Sequence, residues 1–208
     1  HSLSHRVFAN DPSSPVKAVP VDATGNVRIG DGGTTDYILS SPTGVVDFFG
    51  AAGIRFPHGS FSSSATQTIA NTALAYAITF TDTEDAHGGI SLSSSSHINI
   101  TIPGSYFFSF SAVGKSAAPN KLLDIWLAKD GVNVARSNTI AKFVGSANER
   151  IITVTFVLDV TAACYFELMM HSDDTGTTLT ATAAGTNPTR PACPSIILTV
   201  NMVSKLHA

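Results

Sequence analysis

The strongest constraint on the fold of this chain is an alternation of apolar and polar residues along short segments that end in turn residues. Between Ser105 and Ala112 every second residue is apolar or aromatic, which is typical of a β-strand with one buried face. His97–Ile102 alternates in the same way, and Pro103-Gly104 lies between the two segments. A Pro-Gly pair is typical of a turn, so the sequence predicts that these two segments form a hairpin.

Further segments extend the same pattern and indicate how the strands are buried. Asp130-Gly131 after Leu122–Leu127 predicts a tight hairpin turn. Ile151–Val160 and Ser195–Val203 carry apolar residues on both faces. A strand with one face in water would alternate more cleanly, so we expect another subunit to cover the second face. Ser and Thr make up roughly a fifth of the chain, which suits strands and turns and predicts an all-β protein.

Charge is scarce in this chain. Only 13% of the 208 residues are charged, against roughly a quarter in an ordinary domain, and the formal net charge is −3. A thinly spread negative charge cannot gather phosphates, so we expect no nucleic-acid partner. No apolar run approaches the roughly 20 residues that span a bilayer, and His1–Arg6 contains no apolar signal core. We therefore expect no membrane partner and no secretion signal.

The first 57 residues differ in composition from the rest, because proline and glycine interrupt them repeatedly. Residues before about Val19 are typical of an extended arm, and three short strands joined by tight turns follow as a small β-meander. The prediction is two domains, 1–57 and 58–208. A meander of this size is marginal alone, so its apolar residues should dock on a partner surface. The docking candidates are Val27, Ile29, Tyr37, Phe48 and Phe49.

Metal-binding candidates are few. Asp82, Glu84 and Asp85 carry oxygen ligands that Ca²⁺ can use, but they lack the EF-hand pattern, and the segment is more typical of a solvated loop. The histidines at positions 58, 87, 97 and 171 show no zinc-site spacing, so a zinc site would have to be assembled from distant segments. We expect no bound metal and no cofactor.

Catalytic motifs are also missing from the sequence. There is no Gly-x-Ser-x-Gly elbow and no phosphate-binding Gly-x-x-x-x-Gly-Lys-Ser loop. Cys164 and Cys193 are too few for a disulfide framework. A single bridge between them stays open, although the apolar strand context of Cys164 favours an inert free thiol. We expect a protein that is not an enzyme.

Three motifs, in order, resemble the tumour necrosis factor and complement globular-head superfamily. The first is the Pro-Gly turn and aromatic strand of Ile102–Ala112, and the second is the polar hairpin of Leu127–Val134. The third, Leu158–Leu168, is similar to a Leu-x-x-Gly-Asp-x-Val-x-Leu stretch, with Ala162-Ala163 in place of Gly-Asp. The resemblance covers about Ser60 to Ser204.

This resemblance implies a jelly-roll β-sandwich that assembles as a homotrimer through apolar strand faces, with 58–208 as the trimerisation domain. Aromatic residues, Trp126 among them, could instead form a carbohydrate platform, but their period-two spacing favours the core or a subunit interface. The candidates for the core or the trimer interface are Tyr106, Phe108, Phe110, Phe156, Tyr165, Leu168, Leu198 and Val200.

A shorter N-terminal segment carries a second resemblance. Gly30–Tyr37 followed by Gly50-Ala51-Ala52 resembles the front of virion proteins of tailed bacteriophages. This implies a virion protein, made in the host cytoplasm and located on the capsid surface or the tail. The leading hypothesis is a decoration protein that stabilises the head by contacting the major capsid protein. The alternatives are a tail-fibre or receptor-binding protein that contacts a tail protein and a host glycan, and a non-viral ligand-binding module.

Overall fold

The computed structural model describes the strands β1 (Val27–Ile29), β2 (Tyr37–Ser40) and β3 (Asp47–Phe49) and the continuous range 56–204. The chain divides into two units, His1–Arg55 and Phe56–Ala208. The described residues form strands and turns but no helix, so the prediction of an all-β protein is confirmed. Accordingly, the described residues include no helix that is long and apolar enough to cross a membrane.

The three strands of the first unit form an antiparallel sheet in the order β1-β2-β3. Val27 lies opposite Leu39, and Ile38 lies opposite Phe49. The predicted β-meander is therefore confirmed. The docking candidates Val27, Ile29, Tyr37, Phe48 and Phe49 all lie on these strands, and their contact with a partner stays a prediction. The predicted arm before about Val19 lies outside the described residues.

The described residues of the second unit, 56–204, form sixteen strands. The first eight are β4 (His58–Ser63), β5 (Gln67–Thr68), β6 (Tyr76–Ala77), β7 (Asp82–His87), β8 (Ile90–Ser93), β9 (His97–Ile100), β10 (Gly104–Ser116) and β11 (Lys121–Lys129). The others are β12 (Val132–Asn133), β13 (Thr139–Phe143), β14 (Asn148–Val160), β15 (Cys164–Ser172), β16 (Thr177–Leu179), β17 (Gly185–Thr186), β18 (Thr189–Arg190) and β19 (Ile196–Ser204).

Two seven-stranded sheets make up the sandwich. The first has the order β5-β16-β10-β19-β4-β7, and β14 pairs with the other edge of β10 from Gly104 to Ser116. The second has the order β12-β11-β15-β9-β8, with β13 beside β11 and β6 beside β15. Strands that are neighbours in sequence repeatedly lie in different sheets, as they do in a jelly roll.

The core lies between the two sheets and is built from the alternating inward residues. The rings of Phe108 in β10 and Phe166 in β15 pack across it with centroids 4.8 Å apart. The Tyr106 hydroxyl donates a hydrogen bond of 2.7 Å to the carbonyl of Ile102, and burial raises the pKa of Tyr106 to about 12. This tyrosine is therefore a neutral structural donor over the whole physiological pH range.

Two local predictions have opposite outcomes. The turn at Asp130-Gly131 is confirmed, since β11 and β12 pair around it and both residues have positive φ, 50° and 77°. The predicted hairpin across Pro103-Gly104 is wrong. β9 pairs with β8 and β15 in the second sheet, whereas β10 lies in the first, so Pro103-Gly104 connects the two sheets.

The acidic segment Asp82–His87, for which the sequence predicted a solvated loop, forms the strand β7. This strand pairs with β4 and lies at the edge of the first sheet. An edge strand can keep its charged side chains in water while its backbone pairs on one side only. Charge alone therefore gave a misleading indication of a loop here.

Candidate functional site

The outer face of the first sheet carries several exposed apolar side chains on neighbouring strands. We use "outer face" for the residues of β14, β10 and β19 that point away from the core. Ile151 and Val157 of β14 are 75% and 62% exposed, and Ile197 and Val203 of β19 are also exposed. Phe107 lies directly opposite Val157 in the pairing of β10 with β14. Apolar residues opposite one another form a shared patch.

Charged residues occur only at the two ends of this outer face. Lys115 and Glu149 form an ion pair of 2.9 Å at one end, and Asp159 accepts a hydrogen bond from Ser105 at the other. Between these ends the outward residues of the three strands are Ser, Thr and Asn together with apolar residues. A protein that covered this surface would bury apolar area without enclosing a charged side chain, and the hydroxyl and amide groups would need hydrogen-bond partners from it.

The residues predicted for the core or trimer interface divide into two groups. Six are buried between the sheets of a single copy, so they cannot form a surface contact: Tyr106, Phe108, Phe110, Leu168, Leu198 and Val200. Phe156 is half-buried and packs against that core from β14. Tyr165 is half-buried on the outside of the second sheet, where its ring stacks on His97 with centroids 4.0 Å apart. Side chains that are free to contact another protein are found instead among the outward residues of the same strands.

A groove of about 370 Å³ opens on the second sheet. Its lining residues are Asp124, Trp126, Asn133, Val134, Arg136, Asn138 and His171. Trp126 and Asp124 point outward from β11, because the buried residues Leu123, Ile125 and Leu127 alternate with them. One aromatic ring beside carboxylate, amide and guanidinium groups can bind a ligand that has both apolar and hydroxyl faces.

Hydrogen bonds hold the groove side chains in place without a ligand. The Trp126 indole donates to the Asn133 side chain at 2.7 Å. The Asp124 carboxylate accepts from the Asn138 amide at 2.9 Å and faces the His171 ring at 3.4 Å. The sequence pattern grouped Trp126 with the core aromatics. The signal in the sequence was that both neighbours of Trp126 on the strand, Ile125 and Leu127, are apolar. Adjacent residues of a strand point to opposite faces, so Trp126 points away from the core.

The three acidic metal candidates do not converge on one point. Asp82 accepts from the Thr81 hydroxyl at 2.6 Å, and Glu84 accepts from the Ser62 hydroxyl at 2.8 Å. Both line a second groove of about 400 Å³ that also includes Cys193. Asp85 is separate from them because it faces two histidines. The three carboxylates that the sequence offered as Ca²⁺ ligands therefore contact different neighbours and do not meet at one site.

His58, Asp85 and His87 form a cluster that sequence spacing did not predict. His58 in β4 lies opposite His87 in β7, and Asp85 lies two residues from His87 on the same face. The Asp85 carboxylate oxygens lie 3.0 Å from Nε2 of His58 and 2.8 Å from Nε2 of His87. The Phe56 carbonyl and Asp85 raise the pKa of His58, and the hydrogen bond with His58 lowers the pKa of Asp85. The opposite shifts show that each group favours the charged form of the other.

Both cysteines are free. Cys164 is half-buried at the start of β15, and its burial raises the pKa of its thiol. A thiol with a raised pKa is a poor nucleophile at neutral pH, so this position does not supply an activated cysteine. Cys193 is exposed beside the second groove.

Comparisons with known proteins identify the fold. The globular domain of zebrafish complement 1qA protein matches 73% of this chain and 100% of its own length, with a TM-score of 0.50 and 13% sequence identity. No family model and no curated protein matches the sequence. This likeness shows that the chain contains a domain with the jelly-roll fold of the complement globular head, as predicted.

Proposed function

We propose that this protein is a non-catalytic structural protein that assembles as a homotrimer through the outer face of its first sheet. The observation that carries the proposal is the uncharged stretch between Lys115–Glu149 and Asp159, where Ile151 and Val157 are exposed in a single copy. Burying that stretch would remove the apolar area from water, and no unpaired charge would be enclosed. The trimeric state itself is the one implied by the resemblance to the globular-head superfamily.

The finer part of the proposal is the location of the trimer. We place it in the virion of a tailed bacteriophage, where it would act as a decoration protein that stabilises the head. The resemblance of Gly30–Tyr37 to virion proteins supports this, together with a small three-stranded sheet that is marginal when isolated. The apolar residues of β1–β3 would contact the major capsid protein. Three such units on one trimer would act together, so each contact can be weak.

Counting copies of the chain in purified virions tests this location. A decoration protein should be present in hundreds of copies per particle, because heads contain many equivalent capsid positions. Quantitative mass spectrometry against the major capsid protein gives this ratio directly. A count of about a dozen or fewer would favour a tail component. A complete absence from virions would refute both viral hypotheses and favour a non-viral ligand-binding module.

A second candidate function is supported by the groove around Trp126. A trimeric receptor-binding protein would need a free site for a host glycan, and this groove lies on the second sheet, away from the proposed trimer face. Sugars bring an apolar C–H face that packs on an aromatic ring and hydroxyls that hydrogen-bond to groups such as Asp124 and Arg136. The groove therefore has the chemistry of a carbohydrate site.

Replacing Trp126 with alanine tests the glycan hypothesis. If the groove binds sugars, we expect the wild-type trimer to bind at least one glycan on an array and Trp126→Ala to weaken that binding by about tenfold or more. Tyr165→Ala is the matched control, because Tyr165 is an outward aromatic of the same sheet that lies outside the groove. Equal binding by wild type and Trp126→Ala would contradict the hypothesis.

A further inference from the structure

We propose that His58, Asp85 and His87 form a binding site for a divalent transition metal, with Zn²⁺ as the reference ion. The three residues come from the paired strands β4 and β7, and their candidate ligand atoms all lie within 4.8 Å of one another. A tetrahedral zinc ion with bonds of about 2.1 Å holds its ligand atoms about 3.4 Å apart. Binding would require the half-exposed side chains to rotate until their ligand atoms reach that spacing.

The two histidine rings already direct their nitrogens at one carboxylate. Nε2 of His58 faces one oxygen of Asp85, and Nε2 of His87 faces the other, at 3.0 and 2.8 Å. The ring centroids are 5.2 Å apart, and the planes are inclined at 58°. A cation that replaces the ring protons between these two nitrogens and the carboxylate would coordinate all three residues.

A hydrogen bond to the backbone fixes the orientation of the His58 ring. Its Nδ1 lies 2.8 Å from the carbonyl oxygen of Phe56, so Nδ1–H is donated to the backbone. Nε2 is then the ring nitrogen left to coordinate a metal. Metal-bound histidines commonly donate their other ring N–H to a backbone carbonyl or a carboxylate, which holds the ring in the coordinating orientation.

The donor set determines which ions fit. Two imidazole nitrogens with one carboxylate suit Zn²⁺, Cu²⁺ or Ni²⁺, whereas Ca²⁺ and Mg²⁺ prefer oxygen ligands alone. No lysine or arginine occurs in β4 or β7, and Asp82 and Glu84 add negative charge on the same strand. Three protein ligands leave a fourth position for water or for a donor from another chain.

The placement of the site also suggests what the ion would do. β7 is the outermost strand of its sheet, and almost all of its side chains are exposed. The strand β7 therefore gains little stability from apolar side chains packed in the core of the sandwich. An ion shared by His58 and His87 would link β7 to β4 across the strand pair. We infer that the metal stabilises this edge of the jelly roll.

Thermal unfolding of the full-length, tag-free protein with zinc chloride tests the site. At zinc concentrations of about a hundred times the Kd, we expect the Tm of the wild type to rise by about 5–10 °C. His58→Asn and His87→Asn should abolish most of this rise. Their unfolding without metal should match the wild type, since both side chains are substantially exposed.

Matched controls make the test specific. His97→Asn removes a histidine that faces Glu167 elsewhere in the fold, and Asp82→Asn removes an acidic residue of β7 outside the cluster. Both variants should keep the full response to zinc, and CaCl₂ should give no comparable rise. The proposal is overturned if zinc leaves the wild type unchanged, or if it stabilises His58→Asn and His87→Asn as much as the wild type.

Discussion

The double variant Ile151→Asp, Val157→Asp is expected to dissociate the assembly into single folded chains at micromolar concentration. Both side chains point away from the core of their own copy, so the jelly roll itself should tolerate the carboxylates. In an interface each carboxylate would be enclosed without a partner, which costs several kcal/mol. Because 1.4 kcal/mol is a factor of ten in Kd, we expect association to weaken by about a thousandfold or more.

Sedimentation velocity on the double variant and on a matched control measures this effect. Val132→Asp is the control, because Val132 is 70% exposed but lies in β12 of the second sheet. It should sediment like the wild type, whereas the double variant should sediment as a single chain with an unchanged circular dichroism spectrum. A double variant that keeps the wild-type mass would show that the outer face is not the contact surface. The same conclusion would follow if Val132→Asp dissociated equally.

The second large effect is expected at Phe108. Its ring is 0% exposed and packs on Phe166 from the opposite sheet. Truncation to alanine leaves a cavity between the sheets, and such substitutions lower the free energy of unfolding by about 3–5 kcal/mol. We therefore expect Phe108→Ala to lower the midpoint of urea unfolding strongly.

Phe156→Ala is the comparison variant for Phe108→Ala. Phe156 lies on the neighbouring strand β14 but is only half-buried, so its removal should lower the free energy of unfolding by about half as much. Urea unfolding at one fixed protein concentration compares the two. If Phe108→Ala unfolded at the wild-type midpoint but lost the assembled mass, Phe108 would be an interface residue and the assignment of the core would be wrong.

Short sequence patterns were enough to predict which face of a strand is buried and where a tight turn lies. The alternation in Ser105–Ala112 placed Phe108 and Phe110 on the buried face, where the structure has them. Asp130-Gly131 has the residues that a tight turn with positive φ requires. The apolar residues on both faces of Ile151–Val160 predicted a strand with apolar side chains outside the core, and Ile151 and Val157 lie there, whereas the subunit expected to cover them stays a prediction.

Other features depend on which distant strands pair, and sequence periodicity does not contain that information. Pro103-Gly104 looks the same whether the chain turns back in one sheet or crosses to the other. His58 and His87 are 29 positions apart, and only the register of β4 with β7 brings them together. Trp126 is an outward residue of β11, and it lines a groove only because Asn133 and Asn138 lie beside it in the folded chain.

In the proposed trimer, the apolar outer face of the first sheet is buried between three copies of the chain. Static light scattering of the wild-type protein at micromolar concentration tests this claim by measuring the mass of the assembly. The predicted result is a molar mass three times that of the 21.6 kDa chain, constant on several-fold dilution. A mass equal to one chain would contradict the claim, because the exposed Ile151 and Val157 would then have no partner surface.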